Sequence, residues 1–344
     1  MYKKKKMNIN SILQKVSNSL ELTSKEASYI FNQIISGKIS DIEKAGFLMA
    51  LATKGPSTTE VYEAAKILRR KSKKINGGSN LLDTCGTGGD GKETLNVSTA
   101  TAILTAACGV KVAKHGNKAV SSKAGSSDVL AKLGVNINAD EKNIKKSLKE
   151  IGICFLMAPL YHSAMRNIAN VRNILKVKTI FNILGPLLNP AKATMQLIGV
   201  YNDKLLEPLA NCALKLGVKR AWIVCGENGV DEIITSGKTK VVELKDNKLR
   251  KFIIYPEKLG FKKVSLDKIK GKDANYNANQ ILKLFKNKGE NLYFKQVVLL
   301  NTAACLVISE KAKNLINGIE IANENIINGN ALKKLNQLVS SSNE

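Results

Sequence analysis

The chain has 344 residues, carries a formal net charge of +26 and contains only 5% aromatic residues. It has no apolar run of about 18 residues, so a membrane-spanning helix is not expected. Its six cysteines are scattered without Cys-x-x-Cys spacing, which argues against a disulfide framework or a zinc site. We therefore expect a cytoplasmic protein with reduced cysteines.

The positive charge comes mainly from lysine, because only six of the 54 basic residues are arginine. Proteins that read nucleic acids concentrate arginine and place aromatic residues among the basic ones, and this chain does neither. We interpret the lysine excess as a property of the surface and do not expect a nucleic-acid partner. Its long-range field would still attract anionic substrates.

Apolar residues recur at three- and four-residue intervals between residues 8 and 75, for example at Ala27, Ile30 and Ile34. This spacing predicts amphipathic helices. The sequence NGGSN at residues 76–80 has the composition of a linker. We predict a small all-helical unit that ends at this linker.

A glycine-rich loop follows the linker. The short apolar run Leu81-Leu82 leads into glycines at positions 86, 88, 89 and 91, and the alanine-rich run Thr99–Cys108 comes next. We interpret this order as strand, glycine loop and helix N-terminus. Glycines let backbone N–H groups approach a ligand, and a helix start adds unpaired donors and a positive dipole end. The pattern predicts a phosphate site, although it lacks the Walker GKS or GKT ending and is also compatible with a plain turn.

A second strand–loop–helix unit follows directly. Val110–Ala113 is predicted as a strand, the loop after it contains Lys114 and Lys118, and a helix begins near Ser126. Loops after two successive parallel strands lie at the same edge of a sheet, where α/β proteins bind ligands. One loop would offer backbone donors and the other would offer lysine charge and hydroxyl groups, a combination suited to pyrophosphate.

The rest of the chain alternates between strand-like and helical patterns. Helical patterns such as Leu205–Leu216 and Ala278–Phe285 separate many of the apolar runs, and residues 162–192 hold two more helical stretches. These patterns predict an α/β domain with a mostly parallel sheet flanked by helices. The further predicted strands are Ile153–Met157, Met195–Val200, Ala221–Cys225, Lys240–Leu244 and Phe252–Tyr255.

Five sequence blocks carry a resemblance to a known family. DTCGTGGD, NVST, KHGNKAVSSKAGSSDVLAKLG, VRNILKVKTIFNILGPLLNPA and VDE resemble the signature blocks of the anthranilate phosphoribosyltransferases, and the similarity covers nearly the whole chain. The resemblance implies transfer of the phosphoribosyl group of 5-phosphoribosyl 1-diphosphate (PRPP) to the amine of anthranilate, a step of tryptophan biosynthesis. It also implies a homodimer that associates through the small helical domain.

The resemblance implies a large α/β domain with a mostly parallel sheet and a small all-helical domain, as in nucleoside phosphorylases and phosphoribosyltransferases. The small domain would be discontinuous, because the segment after the first part of the sheet returns to it. The implied division is residues 8–75 (helical), 76–161 (α/β), 162–192 (returning to the helical domain) and 193–344 (the rest of the α/β domain).

The resemblance also assigns site residues. For anthranilate it implies Gly86, Asn117 and Arg172, and for Mg²⁺, with two ions per site, it implies Ser98, Asp231 and Glu232. For PRPP it implies Gly86, Gly89, Asp90, Thr94, Asn96, Val97, Ser98, Thr99, Lys114, His115, Gly116, Asn117, Lys118, Ala119, Val120, Ser121, Ser122 and Ser126.

Several of these residues have simpler interpretations. Asp231 and Glu232 could form an ordinary acidic turn, Ser98 could cap a helix, and Asp90 could cap its own loop. We interpret His115 as structural rather than as a general base, because the aniline nitrogen of anthranilate is already neutral. We assign no acid–base residue.

Two residues depart from the family pattern. Lys118 and Lys178 stand where the family usually has arginine, which keeps the charge but loses the two-pronged geometry.

Two other functions are compatible with parts of the sequence. Pyrimidine nucleoside phosphorylase shares the architecture, and a nucleic-acid-binding relative of the fold would suit the charge. Asn117 and Arg172 favour anthranilate over the first alternative, and an intact Ser98 and acidic pair favour catalysis over the second.

Overall fold

The computed structural model describes residues 8–118 and 123–344. Its N-terminal part is helical, as predicted. Three of its helices begin with a capping box, in which a Ser or Thr side chain and a Glu three residues later bond each other's backbone N–H groups. The helices are α1 (Ile9–Ser17), α2 (Ser24–Ile35), α3 (Asp41–Lys54) and α4 (Thr58–Lys71).

A sheet dominates the rest of the described chain. Its strand order is β3-β2-β1-β4-β5-β6-β7; the first five strands are parallel, and β6 and β7 are antiparallel. This confirms the predicted mostly parallel sheet. The strands are β1 (Leu82–Gly86), β2 (Val112–Gly116), β3 (Ile153–Met157), β4 (Met195–Gly199), β5 (Arg220–Gly226), β6 (Thr239–Lys245) and β7 (Lys248–Ile254).

Helices cover both faces of this sheet. Alternate residues of β4 show the two faces, because buried Leu197 packs into a core with the C-terminal helices while buried Ile198 packs into a core with the N-terminal helices. The helices that follow the linker are α5 (Val97–Ala107), α6 (Ser126–Lys132), α7 (Glu141–Glu150), α8 (Ala158–Tyr161), α9 (Arg166–Leu175), α10 (Ile180–Ile183), α11 (Leu206–Lys215), α12 (Ala274–Lys286), α13 (Leu292–Ile308), α14 (Leu315–Ile327) and α15 (Asn330–Asn343). No helix in residues 8–118 or 123–344 is long and apolar enough to cross a membrane.

The segment between β3 and β4 packs against the N-terminal helices. Helix α9 contacts α2 and α3. The Asn167 side-chain amide donates to the Ile35 carbonyl at 2.9 Å, and the Asn170 amide donates to the Asp41 carboxylate at 2.8 Å. The four-part domain division itself stays a prediction.

Two predicted strands were placed wrongly. Strand β2 begins at Val112 rather than Val110. The Val110 N–H donates to the Thr105 carbonyl and so belongs to the turn that closes the C-terminus of α5, in which Gly109 has φ of 84°. Strand β7 begins at Lys248 rather than Phe252. It is an exposed edge strand, so its first residues are polar and lack an apolar signal.

Candidate active site

The carboxyl ends of the parallel strands meet at one edge of the sheet. The strand order reverses between β1 and β4, which end side by side at Gly86 and Gly199. Open α/β sheets bind ligands in the crevice at such a reversal. The loop after β5 brings Asp231 and Glu232 to this crevice, where they line one small cavity with Gly86 and Ser98.

The absence of side chains at Gly86 and Gly199 makes room for the acidic loop. A Cβ on Gly86 would overlap the Asp231 carboxylate, and a Cβ on Gly199 would overlap the Asp231 carbonyl oxygen. The backbone N–H of Gly88 donates to Asp231 Oδ2 at 2.9 Å. The structure therefore joins the predicted glycine loop to the predicted acidic pair, although 143 residues separate Gly88 from Asp231 along the chain.

The acidic pair lies in an environment that disfavours its negative charge. Burial, followed by the neighbouring Asp90, raises the pKa of Asp231 to about 7. Burial and Asp231 raise the pKa of Glu232 well above its ordinary value, while Lys114 and the Ser98 backbone N–H oppose that shift. Carboxylates that repel each other in this way are suited to sharing a cation.

The donor set fits a magnesium site completed by substrate. In the described part of the chain, no group of three or more His, Cys, Asp and Glu side chains could hold a metal by itself. Mg²⁺ commonly takes one or two carboxylates and fills its remaining positions with water and substrate phosphate oxygens. Asp231, Glu232 and the Ser98 hydroxyl match that pattern.

Ser98 is the second residue of α5, and the N-cap position belongs to Asn96. The alternative interpretation of Ser98 as a helix cap is therefore wrong. Lys114 Nζ donates to the Thr84 carbonyl at 2.6 Å and to Ser98 Oγ at 3.4 Å. Because β2 extends to Gly116, Lys114 is buried behind Ser98 rather than placed in the loop after the strand. Its contact with a substrate phosphate stays a prediction.

The remaining residues of the first loop mostly hold its shape. Asp90 Oδ1 accepts from the Lys92 N–H at 3.0 Å, which is the local capping role considered above. The Asn96 amide donates to the Ala124 carbonyl at 3.1 Å, and its oxygen accepts from Asn277 at 2.9 Å. Thr94 forms a β-bridge with Lys270. Val97 and Thr99 are buried in the first turn of α5. At the start of α5 itself, the Val97 N–H donates to the Leu95 carbonyl at 2.7 Å and the Ser98 N–H donates to Glu232, so the helix start is tied to the acidic pair.

The second loop begins at Gly116, where a Cβ would overlap Ser126 Oγ. Ser126 Oγ donates to the Asn117 carbonyl at 3.3 Å, and the Asn117 side-chain oxygen accepts from the Lys118 N–H at 2.8 Å. Asn117 and Lys118 are exposed. The predicted PRPP residues Ala119, Val120, Ser121 and Ser122 lie outside the described residues.

His115 is buried and stacks edge-on against His162, with ring centroids 5.2 Å apart. Burial, followed by His162, lowers the pKa of His115 to about 3, and burial lowers the pKa of His162 to about 4. Both imidazoles are therefore neutral near pH 7. The geometry supports a structural His115, and no sequence signal connected it to His162.

We expect this histidine pair to make the protein sensitive to acid. An imidazole whose pKa is lower in the folded protein than its ordinary value of about 6.5 stabilises the fold above pH 6.5 and loses that contribution as the pH falls toward 4. The free energy of unfolding in urea should therefore drop more between pH 7 and pH 5 in the wild type than in His162→Gln. Equal drops in the two proteins would contradict the assignment.

The segment between β3 and β4 carries two basic residues that the sequence singled out, Arg172 and Lys178. Arg172 lies half-buried in the last turn of α9, and burial lowers its pKa. Lys178 places Cε 3.4 Å from where a Cβ of Gly89 would be, and its Nζ lies 3.9 Å from the Tyr201 ring centroid. Lys178 is thus beside the glycine loop, whereas nothing in the geometry tests how Arg172 is used.

Sequence reasoning missed one buried group in this region. Asp83, in β1, is fully buried; burial raises its pKa to about 6, and Lys114 opposes the shift. Its carboxylate accepts from the His115 backbone N–H at 3.0 Å and from the Asn189 amide at 2.8 Å. The signal that could have identified Asp83 is its position as an acidic residue directly after the apolar pair Leu81-Leu82.

Comparisons with known proteins agree with this geometry. Residues 78–332 match the model "Glycosyl transferase family, a/b domain", and residues 10–72 match "Glycosyl transferase family, helical bundle domain". The chain is 45% identical over 336 residues to the anthranilate phosphoribosyltransferase of Clostridium beijerinckii, covering 97% of this chain and 98% of that protein.

Solved structures give the same result. The anthranilate phosphoribosyltransferase of Thermus thermophilus superposes with a TM-score of 0.90 at 35% identity, covering 97% of this chain and 99% of that one. The Saccharomyces cerevisiae enzyme in complex with PRPP and Mg superposes with a TM-score of 0.89 at 29% identity over 97% and 98% of the two chains. The yeast enzyme in complex with 4-fluoroanthranilate gives a TM-score of 0.86 at 28% identity over 98% and 99%.

A helical bundle joined to an α/β domain, with a glycine loop facing an acidic pair, defines a glycosyl transferase of the two-domain class matched above. Within that class, the identity over nearly its full length shows that the chain belongs to the anthranilate phosphoribosyltransferase family.

Proposed function

We propose that this protein transfers the phosphoribosyl group of PRPP to the amine of anthranilate and releases pyrophosphate, in tryptophan biosynthesis. The observation that carries the proposal is the hydrogen bond that joins the glycine loop to Asp231 at the point where the strand order reverses. It puts anion-binding backbone groups and cation-binding carboxylates into one crevice. Family membership and the PRPP complex of the yeast relative support the choice of substrate.

The glycine loop and the start of α5 would bind the phosphates of PRPP. Gly88 and Gly89 have φ of 64° and 73°, a backbone conformation that glycine adopts at little steric cost and that brings the Gly88 N–H to Asp231. The N-terminus of α5 adds its positive dipole end. The second loop would complete the grip through Asn117, Lys118 and Ser126, with Gly116 and His115 shaping its backbone.

Asp231, Glu232 and Ser98 would hold magnesium, with two ions per site. Bound Mg²⁺ would neutralise the charge on the departing pyrophosphate. Lys114 donates to Ser98 Oγ and so fixes the orientation of that hydroxyl group.

The acceptor side would be formed by Gly86, Asn117 and Arg172. Arg172 would pair with the carboxylate of anthranilate through two parallel hydrogen bonds, which orients the amine toward C1 of the ribose. Departure of pyrophosphate leaves positive charge on the ribose ring, as in glycoside cleavage. As the bond from C1 to the pyrophosphate oxygen breaks, the neutral amine would attack C1 without a protein base, and the nitrogen would then release its extra proton to the departing pyrophosphate. His115 is too weak a base to take that proton, because its pKa is lowered to about 3.

The test follows anthranilate fluorescence on mixing the protein with PRPP and Mg²⁺. We expect a decrease in fluorescence that requires all three components. Parallel incubation of thymidine with inorganic phosphate tests the nucleoside phosphorylase alternative, and we expect no thymine. Thymine release with unchanged anthranilate fluorescence would overturn the proposal.

We also propose that the protein is cytoplasmic and forms a homodimer through the small helical domain, whose parts are residues 8–75 and 162–192. Exposed apolar residues support this surface: Ile42 and Met49 lie seven residues apart on α3, with 85% and 38% of their surface exposed. Ile174, at the end of α9, is 71% exposed, and α9 packs against α3.

Ile42→Asp combined with Ile174→Asp should convert the protein to a monomer, because it places charge in an apolar interface. Analytical ultracentrifugation measures the result. Ile327→Asp on α14, where the side chain is 57% exposed, is the matched control and should leave the mass unchanged. A wild-type protein that sediments as a monomer would contradict the proposal.

A further inference from the structure

The backbone pairing of strands β1 and β2 stops short of the edge that carries the candidate site. Their pairing is limited to Leu82 and Val112, whereas β1 and β4 pair at every residue from Leu82 to Gly86. The glycine loop follows β1 and the Asn117 loop follows β2. Whatever spans the gap between these strands therefore sets the distance between the two loops.

Side chains, rather than a backbone ladder, span that gap. The backbone N–H of His115, which a continuous ladder would bond to β1 backbone, donates instead to Asp83 Oδ1 at 3.0 Å. The amide of Asn189 donates to Asp83 Oδ2 and to the Ala113 carbonyl, both at 2.8 Å. Asn189 Oδ1 accepts from the Ala191 N–H at 2.8 Å. Asp83 and Asn189 are both almost completely buried.

The chemistry of position 83 requires a carboxylate. Two donors, the His115 N–H and the Asn189 amide, converge on its two oxygens. An asparagine there offers one acceptor only, so its own amide would face one of these donors. A buried N–H without a partner is expensive, and the strands would move to relieve it.

From this arrangement we propose that Asp83 and Asn189 are positioning residues for substrate binding: they clamp β1 to β2 and hold the two loops at the separation that PRPP must bridge. This rests on the proposed function, because it takes PRPP as the molecule that bridges the loops. Asn189 lies between α10 and β4, so the clamp also attaches the chain that returns from the helical domain.

The test measures PRPP affinity by calorimetry with Mg²⁺ and without anthranilate, so it does not depend on turnover. We expect Asp83→Asn to keep a native circular dichroism spectrum and to bind PRPP about tenfold more weakly or worse. In the combination Asp83→Asn with Asn189→Asp, the amide at position 83 can donate to the carboxylate at position 189, so the hydrogen bond between the two positions is restored in the opposite direction. It should recover part of the lost affinity, which a loss of stability alone would not produce.

Ser147→Ala is the matched control. It removes a buried hydrogen bond between Ser147 and Ser341, 2.6 Å long, that joins α7 to α15. It should lower the melting temperature and leave PRPP affinity unchanged. Asn189→Ser keeps the Asp83 carboxylate and removes its amide partner, so we expect the same loss of PRPP affinity as in Asp83→Asn. It serves as the test variant if Asp83→Asn does not fold.

The outcomes separate the two proposals. A wild-type protein that binds no PRPP would overturn the proposed function. A wild-type protein that binds PRPP, with folded Asp83→Asn or Asn189→Ser binding it equally well, would overturn the clamp alone. The clamp would also be overturned if the combination of Asp83→Asn with Asn189→Asp binds PRPP no better than Asp83→Asn alone.

Discussion

Replacing Asp231 and Glu232 together by alanine should reduce turnover by about a thousandfold or more while the protein stays folded. Metal assistance to a leaving phosphoryl group is worth several kcal/mol, and each 1.36 kcal/mol corresponds to about tenfold in rate. The fold should survive, because burial and mutual repulsion already raise the pKa values of both carboxylates. Initial rates across a Mg²⁺ titration measure the effect.

Glu227→Ala is the matched control for this prediction. Glu227 belongs to the same connection between β5 and β6, but its carboxylate lies 3.8 Å from Lys263 Nζ. Its removal should leave the rate within about twofold, as expected for a surface ion pair. Near-normal magnesium-dependent activity in the double alanine variant would remove Asp231 and Glu232 from the metal site.

Replacing Arg172 by alanine should raise the KM for anthranilate by roughly 10- to 100-fold, with a smaller effect on the KM for PRPP. Hydrogen bonds to charged groups contribute about 1.5–3 kcal/mol, and this variant removes the partner of the substrate carboxylate. Arg172→Lys should recover only part of the loss, because lysine lacks the two-pronged geometry. Steady-state kinetics with each substrate varied in turn measures both constants.

Arg166→Ala provides the comparison, since Arg166 starts the same helix and is exposed. It should change neither KM appreciably. If Arg172→Ala and Arg166→Ala give the same KM for anthranilate as the wild type, Arg172 does not belong to the acceptor site.

The sequence predicted the fold where local signals were strong. Helical spacing before residue 76 and apolar runs such as Ile153–Met157 left few alternatives, and both are confirmed. Strand β2 was placed wrongly because Val110 is apolar and follows a helix-ending glycine, so the end of α5 and the start of a strand look alike. The edge strand β7 gave little signal because most of its early side chains face solvent.

The sequence likewise predicted only part of the candidate site. Glycine positions and the acidic pair were visible as short motifs, and the resemblance connected them. The Asp83–Asn189 bond and the His115–His162 stack were not visible, because each joins residues far apart in sequence whose types are common in ordinary loops and strands. Lys114 was predicted at the loop surface, an error that follows directly from the shift of β2.

Calorimetry of PRPP binding tests most directly whether the two loops and the acidic pair act as one site. Titration of the wild type with PRPP and Mg²⁺ should release or absorb heat with a defined midpoint, and chelating the metal or removing both carboxylates should weaken binding strongly. Folded wild-type protein that gives no binding heat at millimolar PRPP, or the same heat with and without Mg²⁺, would contradict the account.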